Sequence, residues 1–170
     1  MMNYLDIHFR PVHTDAEIHQ TVALASTIWH ECYTSLANVQ QMNRLLEQLQ
    51  SFTIISQEIR NEGFLYFLVE CNQHTTGYIS VQAKEEELFL NKLYLLKTVR
   101  GMGIAQQAMK FITELAGEWH LPVIRLTVNK QNARAIRFYE KQAFAVVGEE
   151  ITDMGNGIVM NDFVMELHIS

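Results

Sequence analysis

The sequence predicts an α+β (mixed α/β) domain, on three observations. Apolar residues recur at helical spacing through the first third of the chain. Short runs rich in branched and aromatic residues then follow one another between turn-forming residues, and after that helical and strand patterns alternate to the end. That order implies an antiparallel meander and at least one parallel strand pair bridged by a helix that starts at Gly103.

The elements follow in turn. Tyr4 to Arg10 reads as a short strand, and Thr14, Asp15, Ala16, Glu17 has the form of a capping box, in which Thr14 and Glu17 satisfy each other's free N–H groups. Ile18, Val22, Ala25, Trp29 and Cys32 then mark one helical face, and Val39, Met42, Leu45, Leu46 and Leu49 mark a second. Gly63 ends this helical half. Phe64 to Glu70 is a strand, His74 to Gly77 a turn, Tyr78 to Ala83 a strand, Lys84 to Glu87 a turn and Leu88 to Leu95 a strand. From Gly103 to Trp119 the period is helical, Pro122 stops it, and Val123 to Val128 is an apolar strand. Asn132 to Gln142 is helical, and strands are expected at Phe144 to Glu150 and Asp162 to His168.

A chain of 170 residues that is 48% hydrophobic can bury one core, and no linker, repeat or low-complexity tract divides it, so a single domain over residues 1–170 is expected. The two cysteines, Cys32 and Cys71, are far apart and suggest neither a disulfide framework nor a zinc site. Neither a signal peptide nor a membrane-spanning run is expected, which points to the cytoplasm. The net charge of -6 disfavours non-specific nucleic-acid binding and suits an acidic surface that attracts cations.

The segment most informative about chemistry is Leu93 to Ala105, where an apolar strand runs through a glycine-containing loop directly into a helix. The first N–H groups of a helix have no intrahelical partner and, with the helix dipole, favour anionic oxygens. Gly101 and Gly103 let a pyrophosphate approach the backbone, and Arg100 adds a positive charge. A Walker loop is excluded because Ile104-Ala105 stands where Lys-Ser/Thr is required. A dinucleotide fingerprint is excluded because Gln106 stands where its last glycine belongs.

Arg100, Gly103 and Ala105 match the R/Q-x-x-G-x-G/A signature, and with VNKQNARAIRFYEKQAF from Val128 to Phe144 the chain resembles the GNAT family of acetyl-CoA-dependent N-acetyltransferases. The resemblance implies a mostly antiparallel twisted sheet flanked by helices, whose fourth and fifth strands splay apart to admit the pantetheine arm of acetyl-CoA. It implies that Leu93, Tyr94 and Leu95 border that arm, with backbone groups of Leu93 and Leu95 bonding to it or to the thioester carbonyl. It further implies that Arg100, Gly101, Met102, Gly103, Ile104 and Ala105 hold the pyrophosphate, that Asn132 bonds to the CoA arm, and that Tyr139 protonates the departing thiolate. A phenol has an ordinary pKa of about 10 and carries its proton at neutral pH. Asn132 and Tyr139 lie seven residues apart, about two helical turns, and so share one side of a helix. Lys141 is a candidate phosphate contact, for which a solvated lysine is the alternative.

No general base is evident. Asp153 and Asp162, on either side of the MGNG turn, are candidates for substrate contact, and turn chemistry explains each equally well. His30-Glu31 opens an HExxH pattern that fails at Thr34, so no metal is expected. The segments IWHECYTSLANVQQM, SFTIISQEIRNEGFLYFLVE and DMGNGIVMNDFVMEL resemble the PaiA-type spermidine/spermine acetyltransferases. That likeness implies a small polyamine acceptor, with Trp29 and Tyr33 enclosing an alkylammonium by cation–π contact; core packing is the competing role for both. The partners expected are therefore a small cationic amine, no nucleic acid and no membrane, with a homodimer left open. A peptide or protein N-terminus as acceptor, a non-catalytic acetyl-CoA sensor and a purely structural protein are the alternatives.

Overall fold

The computed structural model describes residues 5–33 and 38–169, the side chain of Tyr33 excepted. The elements are β1 (Ile7–Pro11), α1 (Asp15–Tyr33), α2 (Val39–Gln50), α3 (Phe52–Asn61), β2 (Phe64–Cys71), β3 (His74–Ala83), β4 (Glu87–Leu95), a single 3₁₀ turn (Lys97–Val99), α4 (Ile104–Glu118), β5 (Val123–Asn129), α5 (Ala133–Lys141), β6 (Ala145–Gly155) and β7 (Ile158–His168). The strands form one mixed sheet in the order β1-β2-β3-β4-β5-β7-β6. β4 and β5 are parallel, as the helix between them requires, and β1–β2, β5–β7 and β6–β7 are antiparallel. Two compact units share the chain, Met1–Val81 with Lys92–Ala108, and Gln82–Asn91 with Met109–Ser170. No helix among the described residues is long and apolar enough to cross a membrane.

In the first unit the capping box forms as its sequence requires. The Thr14 N–H donates to Glu17 Oε1 at 2.9 Å and the Glu17 N–H to Thr14 Oγ1 at 3.1 Å. The bond from the Thr14 N–H, with a further one from the His13 N–H, draws the pKa of the Glu17 carboxyl down to about 2. Ile18, Ala25 and Ile28 of α1 pack with Ile55, Tyr66 and Leu68 in the core. The helical half holds three helices where the periodicity suggests two. Ser51 adopts an extended ψ of 162°, ending α2, and its Oγ accepts the Ile54 N–H at 3.2 Å, starting α3. A serine inside a polar-rich helix reads as one more exposed position until its cap geometry is seen.

The first turn of the meander also differs from expectation. Chain reversal occurs at Asn72 and Gln73, both with positive φ (51° and 70°), and His74 to Gly77 lies within β3. Two consecutive left-handed residues make the hairpin turn whose twist matches its strands, and glutamine does not announce that conformation. Gly77 has a different role. A Cβ there would lie 2.3 Å from the Tyr94 carbonyl oxygen and 2.5 Å from Leu95 Cδ2, so the missing side chain is what lets β4 lie this close. The Leu96 N–H donates to the Thr76 carbonyl at 2.8 Å beside it.

Lys92 is the unexpected charge in this core. It is 7% exposed, and its Nζ donates to the Leu49 carbonyl at 3.2 Å, to the Tyr66 hydroxyl, and to Glu58 Oε1 at 3.5 Å. The Tyr66 hydroxyl donates in turn to Glu58 Oε1 at 2.5 Å. Burial lowers the Lys92 pKa to about 8 against the opposing pull of Glu58, and burial followed by Glu58 raises that of Tyr66. One strand residue thereby holds the end of α2, a carboxylate of α3 and a phenol of β2.

In the second unit, β5 contributes Ile124, Leu126 and Val128 to the buried face, opposite Leu167, Met165 and Phe163 of β7. β6 and β7 are joined by Asn156 and Gly157, both with positive φ, as an Asn-Gly hairpin requires.

Gly77→Ala should lower unfolding stability by about 1–3 kcal/mol or more, because the new methyl meets the Tyr94 carbonyl oxygen, which cannot swing aside, as well as the Leu95 side chain. Gly117→Ala, where a Cβ meets nothing within 4 Å on a helix, should be neutral or stabilising. Equal denaturation midpoints for Gly77→Ala and wild type would show that β3 and β4 are not in this close contact.

Lys92 titrates at a lower pH in the fold than in the unfolded chain, so from about pH 8 to 10 the unfolded state binds more protons and stability rises with pH. Lys92→Met should remove that rise. Above pH 10 the raised Tyr66 pKa acts with the opposite sign. A wild-type stability that parallels Lys92→Met across pH 8–10 would contradict the buried position of the amine.

Candidate functional site

The glycine loop lies wholly in the first unit. β4 ends at Leu95, the 3₁₀ turn follows, and the chain passes through Arg100, Gly101, Met102 and Gly103 into α4 at Ile104. Gly101 and Gly103 have φ of 80° and 81°, a region that disfavours any residue with a Cβ. A Cβ at either would meet nothing within 4 Å, so it is the backbone conformation that demands glycine here, and the approach to the loop is open. The helix's first carbonyl acceptor is Gly103, bonded by the Gln107 N–H at 3.2 Å, so the N–H groups that precede Gln107 form the dipole-positive end of α4. Arg100 is half-buried, and its guanidinium donates to Cys32 Sγ at 2.8 Å. The Lys97 N–H donates to Glu31 Oε2 at 2.9 Å, so the last turn of α1 braces the loop at two points. Met102 is 45% exposed on its outer side.

The parallel pairing of β4 with β5 runs from Glu87↔Val123 to Phe89↔Arg125 and stops, while β4 continues to Leu95 and β5 to Asn129. Leu93, Tyr94 and Leu95 are half-buried, and the Tyr94 ring packs edge-on to Trp29, with ring centres 5.8 Å apart.

α5 belongs to the second unit. Asn132 is its N-cap, and its Oδ1 accepts the Ala135 N–H at 3.2 Å. Its Nδ2 can donate to a further partner. Tyr139 is 8% exposed, and its ring sits between those of Phe138 and Phe144, each 5.4 Å away. The ring thus fills the core and has its position set by packing. Lys141 is exposed in the last helical turn, where a cation complements the helix dipole.

The acceptor candidates separate clearly. Trp29 is only 3% exposed, a core position. Tyr33 closes α1, and its side chain lies outside the described residues. Asp153 is exposed, and its Oδ1 accepts the Gly155 N–H at 2.8 Å, the turn role that was its alternative. Asp162 is 9% exposed, and its Oδ1 has no hydrogen-bond partner among the described residues. Burial, and then the neighbouring Glu150, raise its pKa. Glu150 carried no signal in the sequence. Its neighbourhood depends on a β6–β7 register that shifts at Val146/Gly148 and at Asp153/Gly155, and such bulges are not written in a residue pattern. No three His, Cys, Asp or Glu among the described residues gather as a metal-ligand set.

With this geometry in view, comparison with known proteins is informative. Residues 24–144 match the model of the acetyltransferase (GNAT) family. An uncharacterized N-acetyltransferase of Mycobacterium tuberculosis is 34% identical over 90 residues, 52% of this chain and 57% of the relative, so the chain spans little more than half the length of such curated relatives. Among solved structures, the PaiA N-acetyltransferase of Thermoplasma acidophilum, in complex with coenzyme A, superimposes with a TM-score of 0.76 at 16% identity over 98% of this chain and 100% of that one. A GCN5-related N-acetyltransferase of Rhodopseudomonas palustris gives 0.77 at 14% identity, over 99% and 98%. These structures are alike in fold. The matched region takes in the glycine loop, β4, β5 and α5, and on that match the chain belongs to the acetyltransferase (GNAT) family.

Proposed function

We propose that the protein is an N-acetyltransferase that moves the acetyl group of acetyl-CoA to a primary amine by direct attack, with a small polyamine as acceptor. The observation that carries this reading is the glycine loop: two left-handed glycines at the start of a helix, open to approach, in a chain of the GNAT family. Acetyl-CoA supplies an activated thioester. Arg100 to Ala105 hold its pyrophosphate through backbone N–H groups and the helix dipole. Backbone groups of β4 beyond Phe89, at Leu93 and Leu95, bond to the pantetheine arm and to the carbonyl oxygen as it gains charge.

The amine nitrogen forms its bond to the thioester carbonyl carbon, the carbon–sulfur bond breaks, the sulfur takes a proton from the Tyr139 hydroxyl, and the proton that the nitrogen loses passes to water, from which the phenol is restored. A ring fixed between Phe138 and Phe144 is suited to this, since a general acid acts only from a defined position. Asn132 Nδ2 bonds to the CoA arm, and Lys141 adds a solvated positive charge. The polyamine acceptor draws support from the net charge of -6 and from the PaiA-like segments. The protein acts as one domain in the cytoplasm, and a homodimer is compatible with this reading.

Saturating acetyl-CoA should raise the melting temperature, because ligand bound only to the native state stabilises it by about 2.7 kcal/mol at a hundred times its Kd. Gly103→Val should abolish most of the shift. An unmoved wild-type melt would remove the acetyl-CoA reading altogether.

For Tyr139→Phe, the single-turnover rate with a polyamine should fall about 10²- to 10⁴-fold, with acetyl-CoA affinity and melting temperature little changed. An unchanged single-turnover rate across the pH range would leave Tyr139 as core alone. Acetyl-CoA binding without turnover on polyamines, amino acids or peptide N-termini would identify a sensor rather than an enzyme.

A further inference from the structure

Asp162 and Glu150 face each other across β6 and β7, and Asn129 of β5 stands opposite Asp162 on its other side. Directly paired residues of neighbouring strands point to the same side of a sheet, so the two carboxylates and the amide share one face. The Asn129 Oδ1 already accepts the Gln131 N–H at 2.8 Å. Neither carboxylate has an ion pair or side-chain hydrogen bond among the described residues, and Asp162 Oδ1 is buried. The nearby cation, Lys130, lies 3.0 Å from Glu149 and over the Phe163 ring, a pair in the adjacent register position that points to the opposite face. The fold therefore places two negative charges together, one of them nine-tenths buried, and commits its own lysine elsewhere.

We propose that Asp162 and Glu150 form the seat for the ammonium group of the acceptor. A cation supplied from outside completes what the chain leaves unpaired, and the surroundings select its kind. Two carboxylates fall short of the six to eight oxygens of a calcium site, whereas an alkylammonium has three N–H donors for a small set of acceptors. Next to the carboxylates on the same face, Gly148 stands opposite buried Val164, and Thr152 opposite half-buried Met160. They provide apolar surface for a methylene chain, and the glycine leaves room beside it. The inference rests on the acetyltransferase reading for its acceptor and names the side chains that select a cationic one.

The test is a calorimetric titration of spermidine, and separately of n-butylamine, onto protein saturated with coenzyme A, which permits no turnover. Asp162→Asn and Glu150→Gln should each weaken spermidine binding at least about tenfold, as expected for loss of a charge-assisted hydrogen bond. Coenzyme A affinity should stay unchanged, and Glu114→Gln, at an exposed position of α4, should bind as wild type. Both amines binding the two carboxylate variants as tightly as wild type would overturn the proposal. So would a wild type that takes coenzyme A but neither amine, or that takes calcium ions in preference to both. Failure of wild type to bind coenzyme A is a separate result that defeats the acetyltransferase reading, while amine binding lost in the variants would still stand. Should Asp162→Asn fail to fold, Glu150→Gln decides the matter, because Glu150 is exposed and its replacement disturbs no packing.

Discussion

The paired stretch of β4 with β5 ends at Phe89↔Arg125, after three of the nine residues of β4, and the chemistry proposed for this protein depends on the part of the strand that continues beyond it. A strand that loses a neighbour exposes backbone N–H and C=O groups, which carry a cost unless water or a ligand satisfies them. Beyond Phe89, β4 keeps its place because it is held from other directions. Gly77 lets β3 approach within contact of the Tyr94 carbonyl, and Lys92 reaches into the helical layer to the end of α2 and to Glu58. The Tyr94 ring adds contacts to Trp29 and Tyr78. These fastenings explain how β4 stays ordered beyond the end of its pairing with β5.

The loop that follows β4 relies on backbone conformation more than on side chains. Its two glycines have left-handed φ values that allow the N–H groups at the start of α4 to converge outward. Arg100 is braced by Cys32 and the Lys97 N–H by Glu31. The last turn of α1 is thus part of the structure that sets the loop, a link not evident from the loop's own sequence.

Lys92 and Asp162, the two buried residues of charged type among the described residues, make a useful contrast. Lys92 is buried with acceptors around it, and although its desolvation lowers its pKa, it is tied to three separate elements. Removing such a group leaves its partner uncompensated, so it is a structural fastening with an electrostatic cost. Asp162 is buried without a partner, beside a second carboxylate that makes matters worse. A raised carboxylate pKa means that the charged form at neutral pH works against folding. A fold that retains such an arrangement gains no stability from it, which is why Asp162 reads as a site and Lys92 as a strut.

Much of this protein was legible along the chain, because its strongest signals are local. A capping box needs only Thr14 and Glu17, a left-handed loop at a helix start needs only Gly101 and Gly103, and a helix between strands by itself demands the parallel pair β4–β5. The α2–α3 break at Ser51 and the reversal at Asn72–Gln73 escaped because a serine and a glutamine are common in many conformations. Gly77 was misplaced because a glycine needed for close packing looks the same in sequence as one needed for a turn. The sequence alone determined the order and kind of most elements, the glycine loop that opens α4, and the family resemblance through Arg100, Gly103, Asn132 and Tyr139. Only the tertiary structure decided which carboxylate is buried and unpartnered, which tyrosine is packed between two phenylalanines, and that Lys92 lies inside. Register, burial and pairing are relations between residues distant in the chain, and no local pattern encodes them.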